Sequence, residues 1–307
     1  MTSQPFVRIG TRASKLALTQ SGMMRDRIAA VSGGAELVHI TTTGDRVQDR
    51  RLLEIGGKAL FTKEIEEALL DGRIDCAIHS MKDMPAELPP GLVIAAIPER
   101  EDVRDAFLSV NYGSLEALPQ GARLGTASLR RQAQTLHRRP DLEIVMLRGN
   151  VDTRIARLHE GVADAILLAA SGLNRLGLGG QVRSFIDPND CPPAPGQGAL
   201  AIEVRVEDAG APWLDAVRCR ETTIAVAAER GALVALEGSC RTAIGARAQL
   251  EGDRLTLLVE ALTPDGARRF RRAGEAVLGS SPEAEARDLG RRLGEQIRAE
   301  GGEALIY

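Results

Sequence analysis

The chain has 307 residues, 44% of them hydrophobic and 26% charged, with a formal net charge of −3 at pH 7. That length predicts about two domains and a core large enough to fold without disulfide staples, and the supply of apolar residues excludes a disordered chain. The near-neutral balance argues against a nucleic-acid binder, and no apolar run is long enough to span a membrane.

The predicted elements alternate. A strand at Val7–Thr11 leads to a helix at Lys15–Ala30, a strand at Leu37–Thr42, a helix at Thr62–Leu70 and strands at Ile74–His79 and Leu92–Ile97. Strands at Asp105–Val110 and Arg123–Thr126, a helix at Leu129–Arg138, a strand at Glu143–Arg148 and a helix at Val151–Leu158 follow. Then come a strand at Ala163–Ala169, a short helix at Leu173–Leu176 and a strand at Ala199–Arg205. Such alternation predicts α/β lobes with mostly parallel, doubly wound sheets, whose ligands sit beyond the C-terminal strand ends. The charged run Glu99–Asp102, within 98–104, and the proline-rich stretch 187–197 mark two crossings. They predict lobe 1 from residues 1–98 with 199–216, and lobe 2 from 104–192. From 221 to 307 the character changes to a small α+β domain. It has a helix at Thr223–Leu236, strands at Ala243–Leu250 and Leu255–Leu262, a Pro264-Asp-Gly266 turn and a final helix at Ser281–Ala299. No internal repeat is visible in the sequence.

Several strand ends carry arginine and a helix cap. In Arg123-Leu-Gly-Thr-Ala-Ser-Leu-Arg-Arg131, Thr126 ends the strand and Ser128 caps a helix whose first turn holds Arg130 and Arg131. Cations are disfavoured there by the helix dipole, so paired arginines point to an anionic ligand at the same spot. Arg12 and Ser14, Arg148 and Asn150 with Arg154, and a polar turn at 169–175 ending in Arg175 repeat the device. Taken singly each is more often structural. Together they suggest a cleft for a polyanion, carboxylate or phosphate. No phosphate-binding glycine loop of the nucleotide type is present. Ile78-His-Ser-Met-Lys-Asp-Met-Pro85 places Lys82 and Asp83 side by side at another strand end. One side chain can bind an anion while the other stabilises a cation or moves a proton. His79 reads as a hydrogen-bonded strand-end residue.

The first eleven residues lack the apolar core of a secretion signal, which predicts a cytosolic protein with free thiols at Cys76, Cys191, Cys219 and Cys240. Cys76 lies in an apolar strand and reads as core. Cys240, in the turn Glu237-Gly-Ser-Cys240, could be a nucleophile, a covalent anchor or an inert small residue. No zinc-type spacing exists, so no metal is expected. Only four of the 39 Lys and Arg residues are lysines, all within the first 82 residues, which leaves 35 arginines. A GC-rich genome explains that bias. The retained lysines include Lys58, in the glycine-rich segment Gly56-Gly-Lys-Ala-Leu-Phe-Thr-Lys63.

In this order the fragments resemble the porphobilinogen deaminase (hydroxymethylbilane synthase) family. The matching strings are Arg8-Ile-Gly-Thr-Arg-Ala-Ser14, Gly56-Gly-Lys-Ala-Leu-Phe61, His79-Ser-Met-Lys-Asp83, Gly125-Thr-Ala-Ser-Leu-Arg-Arg131, Leu147-Arg-Gly-Asn150, Pro195-Gly-Gln-Gly198 and Glu237-Gly-Ser-Cys240. The resemblance implies two lobes like those of periplasmic binding proteins, plus a C-terminal cofactor-attachment domain. It implies a transferase that joins four porphobilinogen molecules, each carrying an acetate and a propionate, with loss of ammonia. It further implies a dipyrromethane cofactor held by a thioether at Cys240, with Asp83 as the catalytic carboxylate.

Lys82, Thr126, Ser128, Arg130, Arg131, Arg148, Asn150 and Arg154 are implied to hold the cofactor. Arg12, Ser14, Arg148, Arg154, Arg175 and Gln197 are implied for substrate, and Lys58 for a lid loop. The family is usually monomeric, with no nucleic-acid or membrane partner. One departure is Glu54, where some relatives place a second lysine before the Gly-Gly-Lys segment. Two other readings stand beside this one: a non-catalytic anion receptor on the same scaffold, and a phosphate-handling transferase.

Overall fold

A computed structural model describes residues 6–42, 62–236 and 242–305. The chain divides into two units, Met1–Glu101 with Ala199–Thr223, and Asp102–Gly198 with Ile224–Tyr307.

The first unit is built on five strands: β1 (Val7–Thr11), β2 (Ala35–His39), β3 (Cys76–Ser80), β4 (Leu92–Ala96) and β10 (Leu200–Arg205). Their order is β2-β1-β3-β10-β4. β1 runs parallel to β2 and β3, while β10 is antiparallel to both β3 and β4. Strand side chains alternate between faces, so each apolar strand must be covered twice. One face packs Ile9, Ile78, Ile202 and Val204 with Met24 and Ile28 of α1 (Lys15–Ala29) and with Trp213 and Leu214. The other packs Ala77 and Leu92 with Ile65 and Leu69 of α2 (Lys63–Leu70).

The second unit repeats this plan. β5 (Asp105–Leu108), β6 (Arg123–Gly125), β7 (Glu143–Val145), β8 (Ala165–Ala169) and β9 (Ser184–Phe185) are ordered β7-β6-β8-β5-β9. β6 is parallel to β7 and β8, and β5 is antiparallel to β8 and β9. Helices α3 (Leu129–Arg138), α4 (Val151–His159) and α5 (Ala170–Arg175) follow β6, β7 and β8 in turn. The shared topology has no repeated sequence behind it.

The same unit contains the C-terminal sheet, β11 (Ala243–Glu251), β12 (Arg254–Leu262) and β13 (Arg269–Val277), an antiparallel meander. Helices α6 (Arg220–Ala235) and α7 (Pro282–Gly301) complete the fold. The expected class of α/β lobes with a small C-terminal α+β domain holds.

Two strands are missing from the sequence reading. β9 is two residues long and shows no period. β13, Arg-Phe-Arg-Arg-Ala-Gly-Glu-Ala-Val, alternates, but its arginines and Glu275 mask the pattern. The turn expected at 169–175 is instead the helix α5, which starts directly at the end of β8. Ala170, Ser171 and Gly172 are small enough to be buried in its first turn. The strand expected at 37–42 begins and ends earlier, at Ala35–His39.

Candidate active site

In the first unit β1 and β3 are adjacent and parallel, so their C-terminal ends share one edge of the sheet. Arg12 and Ser14 follow β1. Ser14 caps α1, its Oγ accepting the Ala17 N–H at 3.3 Å. Gln20 on α1 donates to the Ser80 hydroxyl at 3.2 Å, tying the helix to the end of β3. Beyond Ser80 the chain makes a short 3-10 turn, Met81–Asp83. Met81 and Met84 are fully buried at either end of it, so Lys82 is half-buried and Asp83 is exposed. Two apolar anchors thus fix the turn and leave its charged pair on the surface. His79 is buried one residue before, Nε2 3.0 Å from Glu203 Oε2, the strand-end role read from the sequence.

In the second unit the parallel strands β7, β6 and β8 end along one edge. Thr126 is buried there, and its backbone continues the ladder to Val145 and Leu147. Ser128 caps α3, accepting the Arg131 N–H at 3.4 Å. Asn150 stands at the N-cap of α4 but makes no side-chain cap bond. Arg154 donates from Nε to the Gly149 carbonyl at 2.7 Å. Arg148 is half-buried and its Nη1 is buried without a hydrogen-bond partner. Arg175 donates to the Gly198 carbonyl at 2.7 Å.

Arg130 and Arg131, only 5% and 6% exposed, converge on one carboxylate. Arg130 Nη1 donates to Asp105 Oδ2 at 2.7 Å, and Arg131 donates to Oδ1 through Nη2 at 2.8 Å and Nε at 3.1 Å. Gln197, fully buried, adds a bond from Nε2 to Oδ1 at 2.9 Å. Burial by itself would raise the Asp105 pKa. The charges and hydrogen bonds of the two arginines outweigh it and hold the carboxyl well below the usual carboxylate range. Arg130 continues through Gln134 (2.8 Å), whose amide donates to Glu260 on β12 at 3.0 Å. Burial pushes the Glu260 pKa up. Asp105 is thus the one carboxylate that both guanidinium groups at the start of α3 share, and Arg130 Nε has no partner. Two guanidinium groups that share a single carboxylate and keep an unpaired donor are suited to anionic ligands.

Asp105, Gln134, Glu229 and Glu260 were not singled out from the sequence. Their one visible signal is a charged or polar side chain inside an apolar run, as in Asp105-Ala-Phe-Leu. Lys58 and Cys240, the expected lid and anchor residues, lie outside the described residues. Cys76 is buried, and burial raises its pKa, which fits a core thiol. Among the described residues no cluster of three or more His, Cys, Asp or Glu side chains could hold a metal. None of their helices is long and apolar enough to cross a membrane.

Comparison with known proteins gives two family matches. The porphobilinogen deaminase dipyromethane cofactor binding domain matches residues 7–211, and the porphobilinogen deaminase C-terminal domain matches residues 223–299. A porphobilinogen deaminase of Caulobacter vibrioides (strain NA1000 / CB15N) is 70% identical over all of this chain and 99% of its own length. One of Phenylobacterium zucineum (strain HLK1) is 66% identical over the full length of both. Among solved structures, the methionine-binding protein MetQ is 14% identical with a TM-score of 0.44, covering 69% of this chain and 87% of its own.

Proposed function

Because this chain belongs to the porphobilinogen deaminase family, we propose that Asp83 is its catalytic carboxylate and that the strand-end arginines bind the acetate and propionate groups of its substrate. Its activity is hydroxymethylbilane synthesis from porphobilinogen, a transferase step of porphyrin biosynthesis, and it contains the family's dipyrromethane cofactor-binding domain. The finer reading is a cytoplasmic monomer. In it, residues 221–307 form the attachment domain and Lys58 lies on a lid.

The observation that carries the site assignment is the buried, unpartnered Nη1 of Arg148, just beyond β7 on the edge where Thr126 and Ser128 follow the neighbouring strand β6. A buried donor without an acceptor costs roughly 1–3 kcal/mol. A ligand carboxylate supplies that acceptor, and two pyrrole rings carry several carboxylates. The donor set therefore fits the cofactor. Cys240 would tether it, with Lys82, Thr126, Ser128, Arg130, Arg131, Arg148, Asn150 and Arg154 as its holding residues. When bound, the dipyrromethane provides the primer to which substrate units are added.

The Asp83 carboxylate accepts hydrogen bonds from pyrrole N–H groups. Its charge stabilises the positive charge that develops on substrate as ammonia leaves, and such stabilisation is often the largest catalytic contribution. It then takes up the α-proton displaced by attack of the next ring. Arg12, Ser14, Arg148, Arg154, Arg175 and Gln197 hold the substrate side.

Asp83→Ala should keep the covalent two-ring adduct and lose about 10²–10³ in turnover. Near-normal turnover would refute the role. Cys240→Ala should carry no adduct, and wild-type turnover in that variant would refute the anchor.

A further inference from the structure

The loop Pro195-Gly-Gln-Gly198 passes two glycines with left-handed backbone, φ +75° at Gly196 and +89° at Gly198. A side chain at either position would be strained, so this backbone is held by its neighbours. Its middle residue, Gln197, hydrogen-bonds Asp105, the counter-ion of Arg130 and Arg131. Its last carbonyl, Gly198 O, receives Arg175. One short loop therefore bears on three of the arginines assigned to carboxylate binding.

What fixes that loop is a carboxylate on α6. Glu229 is completely buried. Its Oε2 accepts the Gly196 N–H at 2.7 Å and its Oε1 accepts the Ala248 N–H of β11 at 2.9 Å. Each carboxylate oxygen is thus used on a different segment: the loop on one side, the C-terminal sheet on the other. A buried carboxylate gives up hydration for such bonds, and bonds to a charged acceptor are about twice as strong as neutral ones. The next residues after α6 lead to Cys240, only eleven positions beyond Glu229.

We infer that Glu229 is a positioning residue. Its carboxylate sets the Gly196–Gly198 loop against the helix that runs toward the cofactor cysteine, and so aligns Arg130, Arg131 and Arg175 for ligand carboxylates. It touches no reacting atom. The inference rests on the function proposed above.

The near-isosteric Glu229→Gln variant separates this role from general support of the fold. A glutamine keeps one acceptor but turns an NH2 group toward one of the two backbone N–H donors, so one bond is lost. Glu229→Asp keeps the charge but is one methylene short, and carries the same measurements if the glutamine variant does not fold. The readouts are intact mass, for the fraction of chains with the two-ring adduct, and steady-state kinetics with porphobilinogen per adduct-bearing chain. Loss of a bond to a charged group should raise KM about tenfold and lower adduct occupancy. The kcat per loaded chain should stay within about twofold, because Asp83 is untouched. Wild-type KM and occupancy in both variants, or a drop in kcat alone, would overturn the positioning role. Wild-type protein lacking any adduct would instead overturn the functional reading and this inference with it.

Discussion

Asp105 opens an apolar strand, is buried with two guanidinium groups and a glutamine amide, and is the residue whose charge the second unit is most committed to. Its depressed pKa fixes the sign of a stability effect. A carboxylate whose pKa is lower when folded than its ordinary 3.8 contributes stability that is complete above that value. The contribution is lost as pH falls toward the folded value. Denaturant unfolding followed from about pH 6 to about pH 2 should therefore show a steep acid loss in wild type and a shallower one in Asp105→Asn. At neutral pH the variant should be less stable by about 3–5 kcal/mol, because two buried cations lose their counter-charge. Parallel acid limbs in the two proteins would contradict this.

The same residue shows why part of the site was not legible in the sequence. Ser14 and Ser128 stand directly before their helices, so capping chemistry is written locally. Arg130 and Arg131 announce themselves in the wrong end of a helix dipole. The acceptor they answer is 25 and 26 residues away, and Glu229 meets its loop 33 residues back. A charged residue is assigned to the surface unless its distant partners are known, so Asp105, Glu229 and Glu260 read as ordinary polar positions.

Among elements, the pairing of α6 with α7 decides where Glu229 can reach. These helices touch backbone to backbone. A Cβ on Gly290 would lie 1.9 Å from the Ala228 carbonyl oxygen, and one on Gly231 would lie 2.3 Å from the Arg287 carbonyl oxygen. Two effects compete in Gly290→Ala. Helix propensity favours alanine by about 1 kcal/mol. Forcing an extra carbon against backbone, which has no rotamer to escape into, costs about 1–3 kcal/mol. At 1.9 Å the steric cost wins, so the variant should melt at a lower temperature. A raised melting temperature would show that α6 and α7 can part freely.

The element pattern itself was largely legible. Apolar runs bounded by caps and turns identify β1, β3, β8, β10 and α3 within a residue or two. β13 escaped because three arginines and a glutamate occupy four of its nine positions and mask the alternation around its buried Phe270.

For the whole molecule, one topology serves twice. Three parallel strands of each unit end along one edge, and the last strand neighbours are joined through an antiparallel strand, β10 in one unit and β5 in the other. That arrangement needs only alternation and crossovers, which is why the fold class was readable while the repeat was not. It gives each unit a row of residues just beyond strand ends: Arg12, Ser14, Lys82 and Asp83 in the first, Thr126, Ser128, Arg148 and Asn150 in the second. Under the proposed function, both rows serve a substrate that carries several carboxylates. The most direct measurement is the intact mass of the denatured protein, purified from cells that make porphobilinogen, with fragment mapping of any adduct. The account predicts the chain mass plus two deaminated porphobilinogen units, located on Cys240. A bare polypeptide mass, or an adduct on another residue, would contradict it.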